Sequence, residues 1–340
     1  MNDKNYQIVF RSKYNAELCE ADDRMPEQGE VRIETAFSAV SAGTERALVT
    51  ANEDGDETSK FSFPTFPGYA ASGIITHVGE GVEGYAVGDR VLVHGGGHKR
   101  FCTVAGKEII KLPDGVDLKD AAFVVISGFS LAAVRKARVE LGQSTLVCGL
   151  GLLGLYAVQY LKLCGALNVI VSDFNPDRRE LALRLGADYA FDPSEEGYID
   201  KVRAVTGGVG VDSVIEVTGN DKALTACLKC TKKFGRVILL GCTRKLTSVD
   251  FYHDVHCPGI ELIGAHSGAR PALESRPDCW TEPDDCRVTI SYLAQKRLDF
   301  ASMINEIHSP LDAHEVYARL CKNELPIGVL FDWSKLSEKE

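Results

Sequence analysis

The chain has 340 residues, 45 % hydrophobic and 25 % charged, with a formal net charge of −10 at pH 7. That length predicts two domains with ample chain for a core, and an acidic balance without a basic stripe argues against a nucleic-acid partner. No apolar run reaches membrane-spanning length, the polar start MNDKNYQ does not read as a signal peptide, and the 11 cysteines lie mostly inside apolar runs. This pattern predicts reduced thiols in a cytoplasmic protein rather than a disulfide framework.

Roughly the first 120 residues read as short strands and turns. Residues 31–36, 71–78 and 90–93 are β-like, with glycines beside them, and the alternation of turns and strands in VGEGVEGYAVGDRVLV suits a small β-barrel. The acidic stretch 52–57 reads as an exposed loop. Residues 121–139 turn helical, and from Thr145 strands alternate with helices. Further strands are expected at 189–191, 213–216, 237–240 and 261–264, with helices at 178–185, 199–205 and 222–232. Six strands with helical crossovers predict a doubly wound parallel sheet. After Ala265 the alternation gives way to a loop, followed by helices at 286–295 and 313–320 and a strand at 328–332.

The densest signal is TLVCGLGLLGLYAVQYLKLCGALNVIVSD, residues 145–173. A buried strand runs into Gly149, Gly151 and Gly154, spaced G-x-G-x-x-G, then an apolar helix, Leu152–Cys164. A second strand, Asn168–Ser172, ends on Asp173, about 20 residues past the last glycine. Gly149 serves the tight turn, Gly151 lets the backbone approach a pyrophosphate, and Gly154 lets helix and strand pack closely. Leu152 and Leu153 open the helix, whose N-terminus offers amides to phosphates. Asp173 accepts ribose hydroxyls and repels a 2′-phosphate, which favours NAD over NADP; Arg178 lies near enough to act on the same choice. Strand ends line the crevice of such sheets, so Val217, Thr218, Gly241, Cys242 and Ala265 are expected to border the cofactor. Cys227 and Cys230 form a C-x-x-C on a predicted helix with no second pair, and are read as structural.

SAVSAGTE, FPGYAASGIITHVGEGV, VGDRVLV, the glycine unit and FGRVILLG together resemble the medium-chain dehydrogenase/reductase superfamily over nearly the whole chain. The resemblance implies a GroES-like β-barrel catalytic domain, residues 1–124 with 267–340, and an inserted Rossmann NAD-binding domain, residues 125–266. It also implies hydride transfer between NAD(P) and an alcohol–carbonyl pair or an activated alkene, in a homodimer or homotetramer. SAGTER and VLFDW resemble the zinc-less branch around bacteriochlorophyllide a dehydrogenase. Where zinc-dependent relatives carry a cysteine and a Gly-His-Glu motif, this chain has Ala42 and Gly68, Tyr69, Ala70. A catalytic zinc needs three N, S or O ligands and an open position, so no metal is expected; HDVHC is the one residual candidate, through His253, His256 and Cys257.

Without a metal, a donor must hold the substrate oxygen and a base must take its proton. Tyr69 occupies the position of the family's histidine ligand, where it either orients a substrate oxygen or fills the vacated volume. Thr44 matches the family's proton-relay hydroxyl, and Glu45 is expected to tie its turn together. His266, His256 and His253 are alternative general bases, since imidazole titrates near neutrality. His94 and His98 are expected at the rim, and Arg270, Glu274, Arg276 and Trp280 form a loop suited to a hydroxyl-rich substrate. The expected activity is zinc-independent, NAD-dependent oxidation of a secondary alcohol in a sugar, polyol or ring-bearing compound. The alternatives are an NADPH-dependent quinone or enoyl reductase and a catalytically silent dinucleotide-binding protein.

Overall fold

The computed structural model describes residues 4–53 and 61–337. Residues 54–57 of the acidic stretch lie outside the described residues. A hairpin of β1 (Asn5–Ser12) and β2 (Asn15–Ala21) is followed by β3 (Glu30–Ala39) and the helix α1 (Ala42–Val49). Next come β4 (Ala70–Val78), β5 (Arg90–His94), β6 (Phe101–Ala105) and β7 (Ile109–Lys111). Helices α2 (Leu118–Ala122) and α3 (Val124–Ala137) lead into β8 (Ser144–Cys148), α4 (Leu152–Cys164), β9 (Asn168–Ser172), α5 (Pro176–Arg184) and β10 (Tyr189–Phe191). The alternation continues through α6 (Tyr198–Ala204), β11 (Val211–Glu216), α7 (Asp221–Cys230), β12 (Thr231–Leu239) and β13 (Glu261–Gly264). Then α8 (Glu282–Ala294), β14 (Ile304–His308), α9 (Ala313–Cys321) and β15 (Gly328–Asp332) follow.

The chain divides into two compact units. One holds the residues up to 126 together with those from 286 onward; the other holds residues 127–285. The first boundary lies close to the expected 124/125. The second lies beyond the expected 266/267, because residues 267–285 pack with the second unit through Arg270, which donates to the Gly128 carbonyl, and through the Arg135–Asp285 ion pair at 2.7 Å.

The first unit is organised on β3. One edge of β3 pairs antiparallel with β4 along nearly its whole length, while the other edge pairs with β6 through its first half and with β15 through its last residues. The order β14-β15-β3-β4-β5-β7, with β6 on β3, therefore needs the C-terminal strand to complete a sheet begun by the N-terminal third. Alternation along β3 turns Val31 and Ile33 into a core with Ala71, Ile75, Val91, Val93 and Val104, all buried. A second core gathers Phe10, Val49, Val316, Tyr317 and Phe331 between the hairpin, α1 and α9.

The second unit is a six-stranded, all-parallel sheet in the order β10-β9-β8-β11-β12-β13. Numbered within the unit, this is 3-2-1-4-5-6, the doubly wound dinucleotide-binding order. Helices cover both faces of such a sheet, so its strands are continuously apolar; every residue of β8 is buried. Side-chain caps set where the helices begin: Asn175 accepts two first-turn amides of α5, which has Pro176 at its start, and Asn220 does the same for α7. The helix expected to run to 232 stops at Cys230, because Thr231 already pairs with Val211 in the sheet. The helix expected over 121–139 is two helices, α2 ending at Phe123. Among the described residues no helix is long and apolar enough to cross a membrane.

Asp120 on α2 carries a carboxyl pushed up to about 6 by burial, with Asp117 and Asp299 adding repulsion. The fold therefore disfavours its ionised form, so its favourable contribution is full below about pH 4 and is lost as pH rises through about 6. Asp120→Asn is expected to raise stability at pH 7.5 by about 1 kcal/mol after solvent screening and to change little at pH 4, read from urea midpoints.

Candidate active site

The glycine turn of the second unit is built by close approach. A Cβ at Gly154 would lie 1.9 Å from the Gly149 carbonyl oxygen, and one at Gly149, whose φ is +96°, would lie 2.7 Å from the Thr218 methyl. A Cβ at Gly151 would meet nothing within 4 Å, so the open side of the turn is there. No side chain caps α4 at Gly151. Its first-turn amides, at Leu152, Leu153 and Gly154, are therefore left for an anion, which the helix dipole also favours.

Asp173 stands beside this turn. Its Oδ2 accepts the Leu150 N–H at 2.7 Å, its Oδ1 accepts the Asn175 N–H at 2.9 Å, and Arg178 approaches to 4.0 Å. A carboxylate has about four lone-pair sites, so two backbone bonds leave capacity for ribose hydroxyls. At the end of β11, the buried Glu216 accepts the N–H groups of Thr218 and Gly219 and the Thr218 hydroxyl, and so folds the 217–219 turn. Burial pushes the Glu216 carboxyl up, and these hydrogen bonds oppose the shift. Gly241 closes on the same turn, since a Cβ there would lie 2.4 Å from the Gly219 nitrogen. Cys242 is exposed, whereas Ala265 is buried and donates its N–H to Leu239 at 2.9 Å. These groups fit a dinucleotide: open amides at a helix start, an acid at the neighbouring strand end, and a tightly packed 217–219 turn.

The residues after β13 have mostly structural contacts. His266 is exposed and caps a short 3-10 turn, its Nδ1 accepting the Gly268 N–H at 3.1 Å. In the neutral ring this puts the proton on Nε2, so His266 presents a donor rather than a base. Lys136 donates to the carbonyls of Gly264 and Ala269 at 2.7 and 3.0 Å and holds both ends of this segment. Arg270, expected to meet substrate, has a side chain only 5 % exposed; besides Gly128, it pairs with Glu282 at 3.6 Å and lies over Phe129. Trp280 lies under the Arg135 guanidinium, which is 3.6 Å from its ring centre. Glu274 and Arg276 are exposed, with the Arg276 backbone bridging to Cys279. His253 is also exposed and pairs with Asp250 at 2.8 Å, while His256 stacks on Tyr252.

The first unit brings hydroxyl groups together. Tyr69, just before β4, meets Ser41 at the start of α1, hydroxyl to hydroxyl at 2.7 Å. Thr44 lies exposed on α1. Glu45, expected to tie its turn, is fully buried and accepts the Ser41 N–H at 3.0 Å. His98, expected at the rim, is instead 1 % exposed and faces Glu45 at 3.2 Å. The reason is backbone pairing: residue 98 donates its N–H to Pro67 and accepts from Ile8, which fixes the ring inside the unit. Among the described residues no group of three or more His, Cys, Asp or Glu is placed to hold a metal ion. With Ala42, Tyr69 and Ala70 at the matched positions, the residues present do not fit a catalytic zinc.

Sequence reasoning missed Ser41 and Glu216 as parts of the site. Each carried a signal: Ser41 is a capping-type residue just before a helix, and Glu216 is an acid at a strand end before a turn. His98 carried none, because its partner is 53 positions away in the chain.

A parallel 3-2-1-4-5-6 sheet with an open glycine turn and a strand-end acid defines a dinucleotide-binding unit. Known proteins agree. Residues 27–116 match the alcohol dehydrogenase GroES-like domain, and residues 153–278 match the family described as zinc-binding dehydrogenase. L-threonine 3-dehydrogenase of Pyrococcus abyssi is 32 % identical over 294 residues, covering 78 % of this chain and 83 % of that protein. 2-Dehydro-3-deoxy-L-galactonate 5-dehydrogenase of Pseudoalteromonas atlantica is 25 % identical, with 93 % and 95 % covered. The crystal structure of 2R,3R-butanediol dehydrogenase from Bacillus subtilis has the same fold, with a TM-score of 0.82 at 21 % identity and 96 % and 99 % covered. The chain belongs to the medium-chain dehydrogenase/reductase superfamily.

Gly154→Ala is expected to push α4 off β8. Fluorescence titration should show NADH affinity reduced about tenfold or more, and urea unfolding should show a loss of about 1–3 kcal/mol.

Proposed function

We propose that this protein is a zinc-independent, NAD(H)-dependent oxidoreductase of the zinc-less branch, interconverting a secondary alcohol and its ketone. The substrate class is a sugar, polyol or ring-bearing hydroxyl. The observation that carries this reading is the Ser41–Tyr69 hydroxyl pair at 2.7 Å, with Tyr69 at the position the resemblance gives to a histidine ligand, in a chain with a full dinucleotide cradle. Relatives named as dehydrogenases of L-threonine and of a deoxy-galactonate, each acting at a hydroxyl-bearing carbon, support the alcohol class.

The bound cofactor supplies the hydride acceptor or donor. The α4 amides hold its pyrophosphate, and Asp173 accepts from its ribose. The Tyr69 phenolate takes the hydroxyl proton as the alcohol is oxidised, and its hydroxyl returns that proton to the substrate oxygen as the ketone is reduced. Thr44, exposed on α1, is a further hydroxyl of the first unit for proton traffic. We also propose a cytoplasmic homodimer or homotetramer acting on a small molecule, with no nucleic acid or membrane partner.

Fluorescence titration of metal-stripped protein with NADH and NADPH tests the reading. NADH is expected to bind about tenfold or more tightly than NADPH, a difference of about 1.4 kcal/mol. Asp173→Ser is expected to narrow that gap from both sides, by removing a ribose acceptor and the charge that repels a 2′-phosphate. Equal or tighter NADPH binding overturns the alcohol reading in favour of a quinone or enoyl reductase. Binding of neither leaves a catalytically silent protein.

A further inference from the structure

The Ser41–Tyr69 pair hangs on a buried polar chain that nothing in the proposed reaction yet uses. Two side chains of the first unit from distant parts of the sequence, His98 and Tyr317, meet the Ser41 backbone around the Glu45 carboxylate. Its Oε1 accepts the Ser41 N–H, its Oε2 accepts the Tyr317 hydroxyl at 2.6 Å, and both oxygens face His98 Nε2 at 3.3 and 3.2 Å. His98 Nδ1 lies 2.7 Å from the Ser38 hydroxyl, which in turn accepts the Trp333 indole N–H at 2.9 Å. An indole nitrogen only donates. A carboxylate only accepts, so His98 Nε2 carries a proton toward Glu45, and in the neutral ring Nδ1 accepts the Ser38 hydroxyl. The Ser41 N–H, the Tyr317 hydroxyl and His98 Nε2 all end on the one carboxylate, which sits with His98 at 0 % side-chain exposure.

The same chain reaches Tyr69 from a second side. Gly68 has φ +92°, and a Cβ there would lie 2.5 Å from the His98 nitrogen and 2.8 Å from its ring. The residue before Tyr69 is thus packed directly against His98, while the hydroxyl of Tyr69 is held by Ser41. The carboxylate binds the backbone of Ser41, and the imidazole abuts the backbone leading into Tyr69. Satisfying buried groups alone would not require both contacts to converge on one hydroxyl pair.

We infer that Glu45, locked by His98 and Tyr317, is a positioning residue, and that Ser41 acts through Tyr69 by fixing the direction of its hydroxyl. The inference rests on the reading of Tyr69 as the group that meets the substrate oxygen. A serine hydroxyl beside a phenol also donates to the phenolate and favours its ionised form.

The test uses full-length protein bound to NAD, with 13Cζ-tyrosine labelling and Tyr69 assigned from Tyr69→Phe. Ser41→Ala is expected to raise the pH at which Tyr69 ionises by about half a unit or more, and Glu45→Gln by less. Ser41→Thr, which keeps the hydroxyl, is expected to restore it. Turnover with 2,3-butanediol and NAD is read alongside. Ser41→Ala and Tyr69→Phe are each expected to lower kcat about 10- to 100-fold with KM nearly unchanged, and the double variant to be no worse than Tyr69→Phe alone. Urea midpoints close to those of the unchanged protein show that the variants fold. A Tyr69 titration unmoved by Ser41→Ala overturns the inference, as do losses that multiply in the double variant, which would put Ser41 on the substrate itself. Unchanged turnover in Tyr69→Phe, with the titration moved, overturns the proposed role of Tyr69 and leaves the positioning geometry standing.

Discussion

The contact between Gly154 and the Gly149 carbonyl is the constraint from which the nucleotide-binding unit follows. A helix axis this close to a strand end leaves no room for a side chain at either glycine. It aims the uncapped start of α4 outward over the turn, and brings the turn's own amide at Leu150 within 2.7 Å of Asp173. The open amides of α4 and the Asp173 carboxylate are therefore set together. Glu216 repeats the device one strand over, giving a buried carboxylate to the amides of the next turn. Both acids tie down backbone at the strand ends, and both accept backbone N–H groups there.

The first unit solves a different problem. An interior that encloses polar side chains must give each of them a partner. It does so with Glu45, His98, Ser38, Tyr317 and Trp333, a network in which each buried polar group has a partner. The network joins α1, the 94–101 loop, β3, α9 and the C-terminal tail. The end of the chain thus braces the hydroxyl pair as well as the sheet. Breaking one member would orphan another in a low-dielectric interior, where an unpaired polar group costs about 1–3 kcal/mol.

Much of the secondary structure was legible because its signals are local. The helix at Leu152–Cys164 and the strands at Asn168–Ser172, Tyr189–Phe191, Glu261–Gly264 and Gly328–Asp332 follow from apolar runs bounded by glycines, acids and caps. The expectation failed where a long-range partner competes with local preference. Thr231 leaves its helix for a strand because Val211 is waiting, and His98 leaves the rim because Pro67 and Ile8 take its backbone. Arg270 and Trp280 looked available for a substrate only because Gly128 and Arg135, over 130 residues away in the chain, were not visible as their partners.

The sequence by itself determined the glycine turn, the family and the residue types at positions 42, 69 and 70, since each is a matter of residue type at short spacing. Only the tertiary structure decided which polar side chains are exposed to a substrate and which are braces. Hydrogen-bond partnership depends on distances between segments that no local pattern encodes, so Ser41, Glu45 and His98 became one unit only once the chain had folded around them.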